Sequence, residues 1–421
     1  MRYSQPYGTP QPPLGEYPRF INGNPVTGTE GSIPPATAFD ENQIEIVTVI
    51  ANAGLTPDHG DLTQLWQALQ SLFAARYITT PITKTVHGPG ADFPDLIAAL
   101  QWVAGYTITP TGFVTFLVAS GKWTYTTTVE ISHRDAERIA IQGAPLLGAS
   151  PTPPNLSVTG YHSATDGSAQ ITYLRSVYAT ELSFSGGAAG IRNFTNGAVL
   201  RYLLITGSQT IGPNVDDGCG LIVYQDLRID GIAIWGFGDA GIRMYHASLR
   251  MATSLSLTIA YCAHYGLHNV GGAFLGATGS YVIIVSFGNV GLFHDGGWCW
   301  FGMLNIRGGN GGGGSGAAQL YAGAHTAVAS GAVISLNNQS GVYVAGASTW
   351  QGRSSTYTQN TGNGIYMDGG KAWIDSSSFS GNGSTDVNVN YGANCYTVGA
   401  SFATSSPALN TVGNGNAYIA H

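Results

Sequence analysis

Gly341-Val342-Tyr343-Val344 returns 23 residues later as Gly364-Ile365-Tyr366-Met367. Around this pair Trp350, Trp373 and Tyr396 fall at intervals of 23, and each is followed six or seven residues on by Tyr357, Phe379 or Phe402. Ser355-Thr356, Ser377-Ser378 and Ala400-Ser401 precede the second aromatic series, and Asn360 is echoed by Asn382. An earlier series has period 25: Gly241-Ile242, Gly266-Leu267 and Gly291-Leu292, with Leu257 matched by Val282 and Ile259 by Ile284. Leu304 and Ile306 continue it loosely, and Gly220-Leu221 stands 21 residues ahead of Gly241.

Periods of 21–25 residues with short β runs and no helix per repeat suit one turn of a parallel β-helix. Stacked turns bring equivalent side chains about 4.8 Å apart, so like residues form ladders. A leucine-rich repeat would carry a Leu/Asn consensus that is missing, and a propeller blade would need about 40 residues. The expected fold is mainly β: a single-stranded parallel, right-handed β-helix with a small N-terminal extended arm and α-helical segment.

Composition agrees. The 421 residues include 60 Gly, and 9% are charged, against about 25% in an average soluble domain. All seven Glu lie at or before Glu181, and only three Lys occur. That scarcity disfavours a helical protein, since Glu and Lys are favoured on helix surfaces. It suits stacked turns, where like charges in register repel. With 43% hydrophobic residues the chain is not disordered, and Gly without a three-residue period excludes collagen.

Four segments are expected. Residues 1–38 hold eight of the 19 prolines and read as an extended arm. Residues 39–78 read as two helices, one over roughly 40–53 and one opening at Asp61. The stripe of the second is Leu62, Leu65, Trp66, Leu69, Leu72 and Phe73. Residues 79–109 read as a Thr-rich linker and a helix capped by Asp92 and stopped by Gly105, covering the open end of the solenoid. Residues 110–421 read as strands with no further helix.

Tyr17-Pro-Arg-Phe-Ile-Asn-Gly-Asn-Pro-Val-Thr-Gly-Thr-Glu-Gly-Ser-Ile-Pro-Pro, with Glu45-Ile-Val-Thr-Val-Ile and Leu55-Thr-Pro-Asp, resembles the N-terminal region of bacteriophage tail-fibre and tailspike proteins. Asp92-Phe-Pro-Asp-Leu-Ile-Ala-Ala-Leu through Gly121-Lys-Trp-Thr-Tyr is similar to the start of the solenoid in tailspikes and pectate-lyase-like proteins. The resemblance implies a virion location, a homotrimer of β-helices, and an N-terminal segment docking on other tail or baseplate proteins. Phe20, Pro25, Leu65, Trp66 and Leu69 are the attachment candidates. The chain lacks an obvious C-terminal trimerisation domain.

Candidate glycan-binding residues are Trp298, Trp300 and His294, within His294-Asp295-Gly-Gly-Trp-Cys-Trp-Phe, and the column Trp350, Trp373, Tyr396. Two indoles flanking Cys299 in a strand share one face. They make either a sugar platform beside His294 and Asp295 or part of the core with Cys299 outside. The column likewise reads as sugar-stacking aromatics or as an interior ladder; Tyr357, Phe379 and Phe402 suit the interior better.

Glycan hydrolysis needs two carboxylates about 5–9.5 Å apart. Among the aspartates that follow residue 181, Asp226, Asp230 and Asp295 are weak candidates, and Arg228, Arg243 and Arg250 are cations a lyase could use. The leading function is a tail fibre or tailspike recognising host surface polysaccharide. Its alternatives are a glycan depolymerase on the same scaffold and a purely structural baseplate protein.

Net charge −7 without a basic run gives no footprint for nucleic acid. No apolar window of about 18 residues predicts membrane insertion. The first residues lack a signal-peptide pattern, so assembly in the host cytoplasm is expected. Cys219, Cys262, Cys299 and Cys395 form no Cys-x-x-Cys pair; they read first as free buried thiols, then as disulfide or metal-site residues. No cofactor and no metal are expected.

Overall fold

The structure is a computed structural model that describes residues 26–27, 36–58, 60–74, 76–147, 164–211, 216–251, 256–285, 287–309, 316–329, 331–401, 403–406 and 418–420. The chain divides into two compact units, Met1–Tyr77 and Ile78–His421.

In the first unit the helices Ala36–Asn52 and Gln64–Ala74 pack against each other, burying Ile50 and Ala68. Leu65 and Leu69 are half-buried, while Leu62 and Trp66 project into solvent. Phe20 and Pro25 lie outside the described residues.

The second unit is a parallel β-solenoid of about ten turns, as the sequence periods predicted. Each turn contributes to three parallel sheets. In one turn, strand Ser248–Met251 belongs to the first sheet, Leu257–Ala260 to the second and Tyr265–Val270 to the third. Elsewhere a long strand, such as Leu227–Trp235 or Trp298–Arg307, bends from the first sheet into the second. The third sheet has eleven strands among the described residues.

The repeats fall into register. Ile242 pairs with Leu267 and Leu267 with Leu292 on the third sheet. Leu257 pairs with Val282 and Val282 with Leu304 on the second. Val342 pairs with Ile365, and Tyr357 with Phe379. These apolar columns form one continuous interior cluster.

Polar side chains inside follow the same ladder logic, because a buried amide or hydroxyl must find a partner. Asn337 Nδ2 donates to Asn360 Oδ1 at 2.8 Å, and Asn360 Nδ2 donates to Asn382 Oδ1 at 3.0 Å. Ser377 Oγ accepts from the Ser355 amide, and Ser355 Oγ from the Ala332 amide.

The corner between the second and third sheets turns on left-handed residues, half of them glycine. Gly236, Tyr261, Gly308, Leu336, Gln359 and Gly381 occupy it in six of the turns, all with φ between 55° and 76°. In these turns a left-handed residue turns the chain, at no steric cost only for Gly.

Several expectations are corrected. The capping residue of helix Leu96–Ala104 is Asp95, whose carboxylate accepts from the Ala98 amide at 2.8 Å. Asp92 instead accepts from Lys84 Nζ and the Thr85 amide, which holds its pKa at about 2. The supposed linker contains strand Pro81–Val86, which pairs with Phe113–Val118, so the solenoid ladder begins there. A helix also interrupts the strands: Ala164–Val177 packs Ile171, Leu174 and Val177 onto the outer face of the second sheet at Leu204 and Ala233. Its Gly, Thr and Ser content and weak apolar stripe hid it. All four cysteines are free and buried.

Candidate functional site

The outer face of the first sheet carries two columns, fixed by strand pairing. One runs Phe274, Trp298, His325, Thr349, Lys371, Asn394. Its neighbour runs Arg228, Arg250, Gly276, Trp300, Ala327, Gln351, Trp373, Tyr396. Trp298 and Trp300 both point outward, 56% and 47% exposed, while Cys299 between them is buried. The strand's alternation dictates this, because Cys299 lies in the interior column of Leu275 and Thr326.

Trp300 has Gly276 and Ala327 as its register neighbours and no ring partner among the described residues. Trp298 lies against His325, ring centroids 4.1 Å apart, and the ring of Phe274 leans over the space left by Gly276. Half-burial makes protonation of His325 harder than in water. The result is a rigid patch of three large rings with small residues beside it.

Trp373 and Tyr396 share this face further along the axis, stacked at 5.2 Å. Trp350 does not. It pairs with Ala372, one residue out of phase with Trp373, and is fully buried. The equal 23-residue spacing misled because the intervening turn spans 22, Gln351 to Trp373, and a one-residue slip reverses the face. Trp350 therefore cannot touch a ligand outside.

His294 is likewise interior. Its Nδ1 lies 2.8 Å from Thr326 Oγ1 and its Nε2 3.7 Å from Cys299 Sγ. Burial lowers its pKa to about 4, so it is a neutral core histidine.

The aspartate candidates are not brought together. Asp230 is buried 4.0 Å from Arg201, and Asp226 is half-buried at the start of the same strand. Asp295 lies on the third sheet, level with Val270 and Tyr321. That is three rungs away, or about 14 Å.

Another acidic arrangement does converge on the third sheet. Arg243 pairs with Asp216 at 3.8 Å and makes a short ion pair with Asp239. The hydroxyls of Tyr224 and Tyr245 donate to Asp216, and His264 Nδ1 lies 3.4 Å from Asp239. Burial and the Asp216 carboxylate push Tyr245 up to about 12. One guanidinium thus bridges two carboxylates, the pair of groups that glycoside hydrolysis requires. Both carboxylates have several donors or cations around them. They suit a base or nucleophile and leave His264, 45% exposed at its side chain, as the adjacent proton carrier. Sequence spacing gave no hint of this convergence, since Asp216 and Asp239 lie in different turns.

An aromatic ladder also climbs the third sheet: Phe293, Tyr321, Tyr343 and Tyr366, successive centroids 5.5 Å apart. Phe293 stacks on Tyr321 and Tyr343 on Tyr366, while Tyr321 and Tyr343 meet at a tilt of 56°, so the rings are engaged mainly with one another. Phe274, His325 and Gln351 were missed in the sequence; the 24-residue interval from Phe274 to Trp298 was the available signal.

No family model and no curated protein matches the chain. Among solved structures it is similar to the catalytic domain of a GH87 alpha-1,3-glucanase in complex with nigerose, in its parent form and as a point variant. Identity is 10% in both cases, covering 82% of this chain and 68% of that chain, with TM-scores of 0.33 and 0.36.

Proposed function

We propose that this chain binds glycan on the outer face of its first sheet, as the receptor-recognising solenoid of a phage tail fibre. The observation that carries the reading is the outward, half-exposed pair Trp298 and Trp300, with Gly276 and Ala327 flanking Trp300. An indole left half in water forgoes about 2 kcal/mol of burial, and two together on a rigid sheet make a flat apolar platform. Sugar rings bind such platforms through their C–H faces, while Thr349 and Gln351, two rungs along the same columns, supply hydrogen bonds.

On this reading the N-terminal unit, with Trp66 and Leu62 exposed, is the part that docks on the tail, and the virion form is a homotrimer. The test is retention of the purified protein on immobilised capsule and lipopolysaccharide. Trp298→Ala/Trp300→Ala is expected to abolish retention without lowering Tm. Undiminished retention of that variant would sink the assignment.

Cleavage of the bound glycan is the second reading, favoured by the Asp216–Arg243–Asp239 bridge. It predicts release of reducing ends from the same polysaccharides, lost in Asp216→Asn and Asp239→Asn. Retention without any release would leave binding alone.

A further inference from the structure

The column that contains Trp300 begins with two arginines. Arg228 pairs in register with Arg250, and Arg250 with Gly276, which pairs with Trp300. Both arginines are exposed. Stacking puts their backbones about 4.8 Å apart, close enough for the two charges to repel. Among the described residues neither reaches a carboxylate within 4.0 Å, unlike Arg175, Arg192 or Arg243. In a chain of net charge −7 with 16 basic residues, two guanidinium groups are thus spent side by side on the face that holds the exposed indoles.

We propose that this face takes an acidic glycan of the uronate class, its carboxylate held by Arg228 and Arg250 while neighbouring sugar rings lie on Phe274, Trp298 and Trp300. The proposal rests on the glycan-binding reading and narrows it to one charge class. Guanidinium forks match a carboxylate bidentately, and charge-assisted hydrogen bonds of this kind are the strong ones. Arg250 and Trp300 are two rungs apart, about 10 Å, a span that two linked sugar rings cover. Gly276 between them carries no side chain, so nothing from its own position separates the cationic end from the aromatic end. A ligand carboxylate would also offset the repulsion between the two arginines.

The test uses the full chain and a panel of carboxylate-bearing capsular polysaccharides, each beside its carboxyl-reduced form. The expected result is at least tenfold tighter binding of the carboxylated forms, weakening as NaCl rises. Arg228→Gln/Arg250→Gln should bring that affinity down to the level of the reduced forms, with Tm unchanged or raised. Trp298→Ala/Trp300→Ala should weaken binding of both forms. Equal binding of carboxylated and reduced forms by the parent protein would overturn this proposal while leaving the glycan reading intact. Binding of no polysaccharide at all would overturn both. A concentration-dependent dimer abolished by the arginine double variant, in place of glycan binding, would assign the face to self-association and also overturn it.

Discussion

Inside the solenoid the indole Nε1 of Trp350 donates to the phenolic oxygen of Tyr357 at 2.8 Å, and both rings are fully buried. Tyr357 stacks in turn on Phe379 at 4.6 Å. Replacing Trp350 by Ala would open a cavity and remove one of the two side-chain partners of the Tyr357 hydroxyl, leaving Ser355, for a loss of about 3–5 kcal/mol. Trp373→Ala, on the outer face, should cost under about 1.5 kcal/mol. Denaturant titration of the two variants separates them; equal losses would contradict the register that places only Trp350 inside.

The glycine that recurs at the start of the third-sheet strands in several turns, Gly241, Gly266 and Gly291 among them, is a second point where register can be tested. A methyl on Gly266 would overlap Cγ2 of Ile284 and the carbonyl of Gly291 in the next turn. Neither can move without shifting a neighbouring rung, so Gly266→Ala should cost at least the ~1–3 kcal/mol typical of overpacking. Gly105, at the end of helix Leu96–Ala104, has φ −78° and only an ordinary contact at its Cβ position. Gly105→Ala is expected to be nearly neutral in the same titration.

The solenoid was legible in the sequence because its signal is repetition. Gly241, Gly266 and Gly291 recur where the backbone of each of these turns approaches Ile259, Ile284 and Ile306 of the sheet beside it, so closely that a Cβ would overlap them. Single events were harder to read. Asp95, not Asp92, caps the third helix, since both precede it at plausible spacing and only the fold shows which one Lys84 takes. The helix Ala164–Val177 is stabilised by the sheet beneath it rather than by its own pattern. At the candidate site, Trp298 and Trp300 were readable as a same-face pair. Their neighbours were not, because Phe274, His325 and Gln351 become neighbours only through pairing between turns. Trp350 and His294 were drawn into the site by spacing and proximity in the chain, which a period-2 strand cannot translate into direction.

Buried His294 makes stability depend on pH. Its pKa falls from about 6.5 in the unfolded chain to about 4 in the fold, chiefly through burial. The unfolded state therefore binds more protons between these values. The stabilisation is complete above pH 6.5 and is lost as pH falls toward 4, by about 3 kcal/mol. His294→Leu, matching Leu320 in the same interior column, should reduce the dependence of Tm on pH across that window by about half, since His268, also lowered to about 4 by burial, keeps its share. An unchanged slope would mean the histidine is reached by solvent.

Arg243 is the counterion of two carboxylates at once. Its guanidinium meets Asp216 and Asp239, whose side chains are only 13% and 11% exposed. Removing one partner of a buried ion pair costs about 3–5 kcal/mol, because the remaining charge is left without compensation. Arg243→Met leaves two such charges and is expected to reach or exceed the upper end of that range. Asp216→Asn keeps an acceptor for Tyr224 and Tyr245 and leaves Arg243 paired with Asp239, so its cost should be under about 2 kcal/mol. The difference matters for the cleavage reading: Asp216→Asn must stay folded for its loss of activity to mean anything, and calorimetry on both variants checks that before any polysaccharide is added. Adding Asp216→Asn and Asp239→Asn to Arg243→Met should restore most of the lost stability, since the triple variant carries no unpaired charge. Failure to restore it would show that Arg243 supports the sheet through its packing rather than its charge.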